Sequence, residues 1–273
     1  MTNFLEKIIK DISLEEKIKF KTISDGFITI LTKDDKTCYL NEYFLGLNSS
    51  ISTLLCDDKY AMYEVLKEYQ IPVLEYKLIF HSGDEKVKEN IENKIKILKD
   101  YYHAFNHHIV LKPNLGYGGR LVFQIDKEET IKPIFYMLLE NTNSIVVNPF
   151  YEIKNEYRVI ILNNQVRLIY KKVRGSSWQF NLSKGSFSVK DIDSILKDQI
   201  ISLAYKVYNT LKLKFASIDI VELEKGEILV LEVNNRVTLE KYCLQHPKDY
   251  ELVKNIYKDA IKILFDEVEG DRK

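Results

Sequence analysis

Residues 216–237 read ASIDIVELEKGEILVLEVNNRV, two apolar strands, ASIDIVELE and EILVLEVNN, divided at Lys225-Gly226. A two-residue loop ending in Gly between alternating runs predicts a β-hairpin. That loop sets Glu224 opposite Glu227, Asp219 opposite Glu232 and Ser217 opposite Asn234. Side chains alternate along a strand, so Glu232 and Asn234 share a face and Asp219 lies across from them. Two opposed carboxylates destabilise a sheet, and burial among Ile, Val and Leu makes this worse unless a cation is present. Hard ions such as Mg2+ take one or two carboxylates and fill their remaining positions with water and phosphate. Asp219, Glu232 and Asn234 are therefore read as a metal triad in a nucleotide site. Two edge carboxylates facing solvent, with Asn234 merely ending a strand, would leave the same pattern.

The 273 residues suffice for one large domain or a few small lobes around real cores. Forty basic and forty acidic residues cancel, so composition offers no footprint for nucleic acid. No apolar run approaches the ~20 residues of a membrane span. The N-terminal stretch MTNFLEKIIKDISLEEKIKF is amphipathic and lacks the uninterrupted apolar core of a signal peptide. Cys38, Cys56 and Cys243 are scattered, which points to a reducing cytoplasm and no disulfide framework. A catalytic thiol stays open beside the commoner buried small hydrophobe.

In chain order, residues 1–25 read as helix followed by loop. FITILTK and KTCYLNEYF read as strands about an Asp34-Asp35 turn, and LGLNSSIS as loop. Asp57 to Tyr69 reads as a helix capped by Asp57 or Asp58, with an apolar stripe at Met62, Val65, Leu66 and Tyr69 and Pro72 beyond its end. Lys59 sits in its first turn, where the helix dipole disfavours a cation. It serves either a bound anion or only solvent. Glu85 to Tyr102 reads as a charged surface helix. His103, His107 and His108 read as loop residues rather than metal ligands.

In HIVLKPNLGYGGRLVFQI a strand ends at Lys112-Pro113, and Gly116, Gly118 and Gly119 follow before a second strand near Leu121. Such glycines let backbone N–H groups approach phosphate oxygens. The spacing matches neither a Walker A loop nor a Rossmann fingerprint, and a plain glycine turn is the other reading. Thr130 to Glu140 reads as helix. SIVVNPFYEI reads as a strand running into Asn148-Pro149-Phe150-Tyr151, and NEYRVIIL with QVRLIYKKV as a hairpin about Asn163-Asn164. Alternation puts Glu156, Arg158 and Ile160 on one face, lining a cleft or forming a surface ion pair. RGSSWQFNLSKGSFSV, with Arg174, Trp178, Asn181 and Lys184, is long for a loop in a compact protein, which marks it as functional. Asp191 to Leu211 and Tyr250 to Glu267 read as amphipathic helices.

Read together, DKYAMYEVLKEYQIPV, IVLKPNLGYGG, VVNPFYEIKNEYRVIIL, RGSSWQFN and ASIDIVE…VLEVNN resemble, in their order, the ATP-grasp superfamily of carboxylate–amine ligases. The resemblance spans roughly residues 48–265 and is greatest to the cyanophycin synthetase, bifunctional glutathione synthetase and ribosomal-protein glutamate ligase groups. It implies an α+β ATP-grasp fold with nucleotide between two antiparallel sheets. Residues 1–55 would form a reduced N-terminal lobe, 56–147 the first part with the glycine loop, and 148–273 the C-terminal lobe with the metal site. Lys59 and Lys112 would hold ATP phosphates under the loop of Gly116, Gly118 and Gly119. Asn148, Phe150 and Tyr151 would belong to the hinge that reads adenine, and Glu156 would bind ribose. Arg158, Arg174 and Asn181 would face the transferred phosphate or the substrate carboxylate. Asp219, Glu232 and Asn234 would ligate one or two Mg2+ ions, or Mn2+.

The implied reaction joins a carboxylate to an amine through an acyl phosphate, releasing ADP and phosphate. Its small-molecule acid and amine would include an amino acid or short peptide. Composition and cysteine usage predict no nucleic acid, no membrane and a cytoplasmic setting, and the small N-terminal lobe predicts a homodimer. An ATP-grasp kinase and a non-catalytic nucleotide-binding regulator are the alternatives. Family members usually follow the metal Asn with a Pro- or Gly-containing segment, whereas here the chain runs Asn235-Arg236-Val237-Thr238-Leu239-Glu240. That departure falls on the acceptor side.

Overall fold

The computed structural model describes residues 3–83 and 90–268. Three antiparallel sheets organise them. The first holds β1 (Lys19–Ile23), β2 (Ile28–Lys33) and β3 (Lys36–Asn41) in that order. The second holds β4 (Lys77–His81), β5 (Ile109–Pro113), β6 (Phe123–Ile125) and β7 (Ser144–Pro149), in the order β4-β7-β5-β6. The third holds β8 (Ile153–Leu162), β9 (Gln165–Val173), β10 (Phe187–Val189), β11 (Phe215–Leu223) and β12 (Ile228–Asn234), in the order β10-β9-β8-β11-β12. Among the described residues eight α-helices surround them: α1 (Asn3–Glu16), α2 (Ser50–Asp57), α3 (Lys59–Glu68), α4 (Ile91–Ala104), α5 (Ile131–Asn141), α6 (Ser194–Thr210), α7 (Glu240–Gln245) and α8 (Tyr250–Glu267).

Apolar cores cover the parts of the sheets that lie outside the space between them. Ile95 and Leu98 of α4 and Phe135 and Leu138 of α5 close one face of the four-stranded sheet. Met62 and Leu66 of α3 and Ile200, Leu203 and Val207 of α6 cover one face of the five-stranded sheet. On its other side, Ile160, Tyr170 and Phe215 share a core with Ile8 and Ile12 of α1 and with Ile256, Ala260 and Phe265 of α8. The N-terminal sheet is thus packed onto the C-terminal helix. No helix among the described residues is long and apolar enough to cross a membrane.

Several sequence expectations need correction. Within 1–25, Lys19–Ile23 is a strand, and its alternating exposure fits an edge strand better than a helix. LGLNSSIS is not all loop, because the Ser49 hydroxyl caps α2 from Ser50 onward. The following helix begins at Lys59, with an Asp58 carboxylate oxygen accepting from Ala61 N at 2.8 Å. The charged helix begins at Ile91, and residues 85–89 of its expected span lie outside the described residues. His103 sits in the last turn of that helix. The helix expected from Asp191 starts at Ser194, capped by Asp193.

The hairpin turns decide which side chains meet. At β8–β9, Leu162 pairs with Gln165, and Asn163 and Asn164 have φ of +46° and +60°. A turn with two left-handed residues suits Asn-Asn. The β11–β12 loop is longer than expected. Leu223 N donates to Glu227 O at 2.9 Å, leaving Glu224, Lys225 and Gly226 in the loop, with Gly226 at φ +86°. Glu224 therefore does not face Glu227. A bulge at Leu231 then shifts the register by one residue, so Ile220 pairs with Val230 but Asp219 with Glu232. The two offsets cancel. Asp219 faces Glu232 and Ser217 faces Asn234 as expected, by a route the sequence reading did not contain.

Candidate active site

A cleft opens between the four- and five-stranded sheets. Of the residues singled out from sequence, Lys59, Lys112, Gly116, Gly119, Asn148, Phe150, Tyr151, Glu156, Arg158, Arg174, Asn181 and Glu232 line it. Gly118, Asp219 and Asn234 do not reach its wall. Two stretches of chain carry the link between the sheets. Residues 149–152 run from β7 into β8, and residues 72–76 run from beside β12 into β4. The crossings are tied together where Glu75 N donates to the Tyr151 hydroxyl at 3.2 Å.

One end of the cleft is apolar, with Leu74, Val110, Val122, Phe150, Ile153 and Trp178 on its wall. His108 stacks on Phe150 at 3.8 Å with rings only 6° apart. The Asn148 side-chain nitrogen donates to Pro149 O at 2.7 Å. Its Oδ1 is buried with no hydrogen-bond partner among the described residues, a costly arrangement for a polar atom.

The other end is cationic. Lys59 Nζ donates to the carbonyls of Asn114 at 3.1 Å and Gly116 at 2.8 Å, so the helix-start lysine is buried against the base of the glycine loop. Gly118 and Gly119 have φ of +70° and +68°. A Cβ on Gly119 would lie 3.1 Å from the Asn181 side chain, and Lys184 Nζ donates to Gly119 O at 2.9 Å. The glycine loop thus rests on the 174–186 loop. Leu121 closes it at φ +54°, in a region that L residues avoid. Lys112 Nζ donates to the Tyr76 hydroxyl at 3.2 Å. Burial and then the nearby Lys59 charge press the Lys112 ammonium down to about 7, against Glu232 and Glu156.

Between these ends lies a buried charge network. Arg158 grips Asp219 with both arms, Nε to Oδ1 at 2.7 Å and Nη2 to Oδ2 at 2.6 Å. Lys172 Nζ lies 3.1 Å from Asp219 Oδ2 and also hydrogen-bonds the Glu156 carboxylate. Burial raises the Asp219 carboxyl, but Arg158 and then Lys172 outweigh it and hold that carboxyl well below the usual carboxylate range. Burial and Arg158 depress Lys172, whose pKa is nonetheless raised by Asp219 and Glu156. This corrects the argument for an obligatory external cation. The positive charges that allow Asp219 to be buried come from Arg158 and Lys172.

Glu232 differs. It is half-buried at the cleft wall, and among the described residues its side chain accepts from Asn234, whose Nδ2 lies 3.3 Å from Oε1. Ser217 Oγ, opposite Asn234, is buried without a hydrogen-bond partner among the described residues. These are hard oxygen donors, the kind Mg2+ prefers. Among the described residues no group of three or more His, Cys, Asp or Glu side chains is placed to hold a metal. The donor set therefore suits an ion carried largely by phosphate, with Glu232 and Asn234 as the available protein ligands and Asp219 already engaged.

Sequence reasoning missed Lys172, Tyr76 and Arg120, all at or beside this cleft. Arg120 is exposed in the glycine loop and lines the cleft. The thiols take no part. All three cysteines are buried, burial raises each, and Cys56 reaches about 12.

A model of the RimK-like ATP-grasp domain matches residues 56–256. The tetrahydromethanopterin:alpha-L-glutamate ligase of Methanocaldococcus jannaschii is 32% identical over 133 residues, covering 46% of this chain and 44% of that protein. The match thus spans less than half the length of that curated relative. The D-alanyl-alanine synthetase A of Vibrio cholerae superposes with a TM-score of 0.67 at 13% identity, covering 95% of this chain and 92% of that one. The D-alanine–D-alanine ligase of Bacillus anthracis does so with a TM-score of 0.60 at 15% identity, covering 81% and 72%. At these identities the superpositions speak to the fold, which is that of the ATP-grasp proteins.

Proposed function

The chain belongs to the RimK-like ATP-grasp family, and from that premise we propose that it is an ATP-dependent carboxylate–amine ligase. The observation that carries the proposal is the division of labour among the cleft's cations. Arg158 and Lys172 are committed to Asp219 and Glu156, while Lys59 and Lys112 hydrogen-bond only neutral groups among the described residues. Two buried ammonium groups without a bound carboxylate are poorly placed unless an anion arrives.

Nucleotide would lie between residues 56–147 and 148–273, with 1–55 as a reduced lobe behind the second part. Adenine fits the apolar end, where the partnerless Asn148 Oδ1 could accept from its amino group. Glu156, with one oxygen engaged by Lys172, is the ribose ligand. Lys59 and Lys112 hold phosphates beneath Gly116, Gly118 and Gly119. Glu232 and Asn234, with Asp219 behind them, would hold Mg2+ or Mn2+, which supplies charge neutralisation at the phosphates when bound. Arg174 and Asn181 would face the transferred phosphoryl group and the acid, with Arg158 beside them on the cleft wall while it holds Asp219. That acid's carboxylate attacks the terminal phosphorus and ADP leaves. The amine then attacks the acyl carbon and phosphate leaves. No nucleophile on the enzyme is required.

By analogy with the glutamate of the relative's printed name the acceptor is an amino acid, or, by the family resemblance, a short peptide. Product analysis tests the reaction. ADP, phosphate and an amide should appear together, whereas AMP would exclude it. A stable phosphorylated product made without amine would identify a kinase, and binding without turnover a regulator. Free thiols support a cytoplasmic setting. The small N-terminal lobe supports a homodimer that shares its acceptor side, an idea that a monomer mass by light scattering at micromolar concentration would remove.

Lys112 supplies a pH signature. Its ammonium is pressed down to about 7 in the free cleft, and a bound phosphate should restore it toward the ordinary lysine value of ~10.4. Between those limits, binding takes up a proton. Nucleotide affinity should fall above pH 7 by up to about tenfold per pH unit and be flat in this group below it. Calorimetry in buffers of different ionisation enthalpy measures that uptake, and Lys112→Arg should abolish it. Equal heats in all buffers at pH 8 would refute the assignment.

A further inference from the structure

Tyr76 lies where the chain passes from one sheet to the other. Leu74 N donates to Val230 O and Val230 N to Pro72 O, both at 2.9 Å, so residues 72–74 run beside β12 before β4 begins at Lys77. The Tyr76 side chain is 2% exposed and packs edge-on against Tyr63 at 6.2 Å. Its hydroxyl donates to Leu231 O at 2.9 Å. Leu231 is the bulged residue immediately before Glu232. A phenol has one proton, so toward Lys112 Nζ at 3.2 Å it can only accept. Nζ also lies 4.6 Å from the ring centroid, within the range of a cation–π contact. Burial raises the phenol well above its ordinary value, which keeps that proton in place.

We infer that Tyr76 is a positioning residue that sets the phosphate-facing lysine, Lys112, against the bulge that carries Glu232. One side chain thereby fixes the spacing between the cation on β5 and the carboxylate on β12, which belong to different sheets. The inference rests on the reading of Lys112 as a phosphate ligand. The other charged groups bearing on Lys112 are Lys59, Glu232 and Glu156, and Tyr76 gives the lysine its hydrogen-bond acceptor. Packing alone would require an aromatic ring at this position but no hydroxyl.

Tyr76→Phe keeps the ring and removes the hydroxyl. Binding of a non-hydrolysable ATP analogue with Mg2+ is measured by calorimetry in four proteins: wild type, Tyr76→Phe, Lys112→Met and the double variant. Loss of one hydrogen bond to a charged group predicts about tenfold weaker binding in Tyr76→Phe. In the Lys112→Met background the same change should cost less than about twofold, because the coupling partner is gone. The midpoint of the pH dependence of binding should also move to lower pH in Tyr76→Phe, since the ammonium loses an acceptor.

Equal losses in both backgrounds, or no loss and an unmoved midpoint, would overturn the inference while leaving the nucleotide reading intact. A wild type that binds no nucleotide would overturn both. Should Tyr76→Phe fail to fold for want of a donor to Leu231 O, p-aminophenylalanine at position 76 supplies one. It accepts poorly, so the same weakened binding is expected, and wild-type binding there would equally sink the inference.

Discussion

Asp219→Asn should cost the protein about 3–5 kcal/mol of stability, the usual cost of breaking a buried ion pair from one side. The carboxylate is 1% exposed and accepts from both arms of Arg158, with Lys172 3.1 Å away. An amide can accept at one oxygen only, so a buried guanidinium and a buried ammonium are left short of negative charge. At ~2–4 °C per kcal/mol for a chain of this size, the melting temperature should fall by on the order of 10 °C. The pH dependence provides a second check. Asp219 titrates well below its unfolded value, so its contribution is complete above the unfolded pKa of ~3.9 and is lost as pH falls through the native pKa. The gap between wild type and variant should be full at neutral pH and close in acid. A variant that melts within 2 °C of wild type at pH 7 by differential scanning calorimetry would refute the network.

Glu232→Gln should do the opposite, sparing the fold and stopping the chemistry. Glu232 is half-buried and makes no ion pair among the described residues; its polar contact is Asn234 at 3.3 Å. Because Asp219 is neutralised by Arg158 and Lys172, removing the facing charge relieves little repulsion. The melting temperature without ligand should stay within a few degrees of wild type. Turnover should fall roughly 100- to 1,000-fold, since neutralising phosphoryl charge is worth several kcal/mol and ~1.4 kcal/mol is tenfold in rate. Mg-ATP should raise the melting temperature of wild type and do so much less for the variant, by linkage. Normal turnover together with an unchanged ligand-induced shift would remove Glu232 from the metal site. The two carboxylates face one another across a hairpin, yet the first should act on stability and the second on rate.

That contrast shows what alternation and turn chemistry can and cannot reveal. The Asp219–Glu232 opposition was legible because two misjudged offsets, the loop of Glu224, Lys225 and Gly226 and the bulge at Leu231, cancel. Lys172 was not legible for a related reason. The Asn163-Asn164 turn implies Glu156 opposite Lys171, but the register shifts between Ile160 and Ile161 and brings Lys172 across from Glu156 instead. A single extra residue in β9 therefore exchanges which of two adjacent lysines enters the cleft. Nothing in the letters KK signals it. Tyr76 was missed because its partners, Lys112 and Leu231, are distant in sequence and meet only when two sheets approach. Local patterns marked Lys59 and the glycine loop after Lys112 only as candidates, each at an element end, and the order of the motifs, by resemblance, assigned them to the nucleotide.

The sharing of one apolar core by α1 and α8 bears on how this chain is made. Ile8 and Ile12 pack with Ile256, Ala260 and Phe265, and Glu15 and Glu16 reach Lys254, Lys258 and Lys262. A ribosome delivers the first group long before the second. While the middle of the chain is being synthesised, the apolar stripe of α1 has only Leu31, Cys38 and Leu40 of the first sheet to pack against, and a helix of 14 residues is marginal by itself in water. Its full burial needs Tyr250–Glu267, whose Tyr250 follows its hydrogen-bond partner Asp11 by 239 residues. The two cleft-lining sheets are complete by Asn234 and can assemble first. Docking of α1 onto α8 should then follow that assembly, and the part-covered stripe of α1 is what a nascent-chain chaperone would meet in the interval.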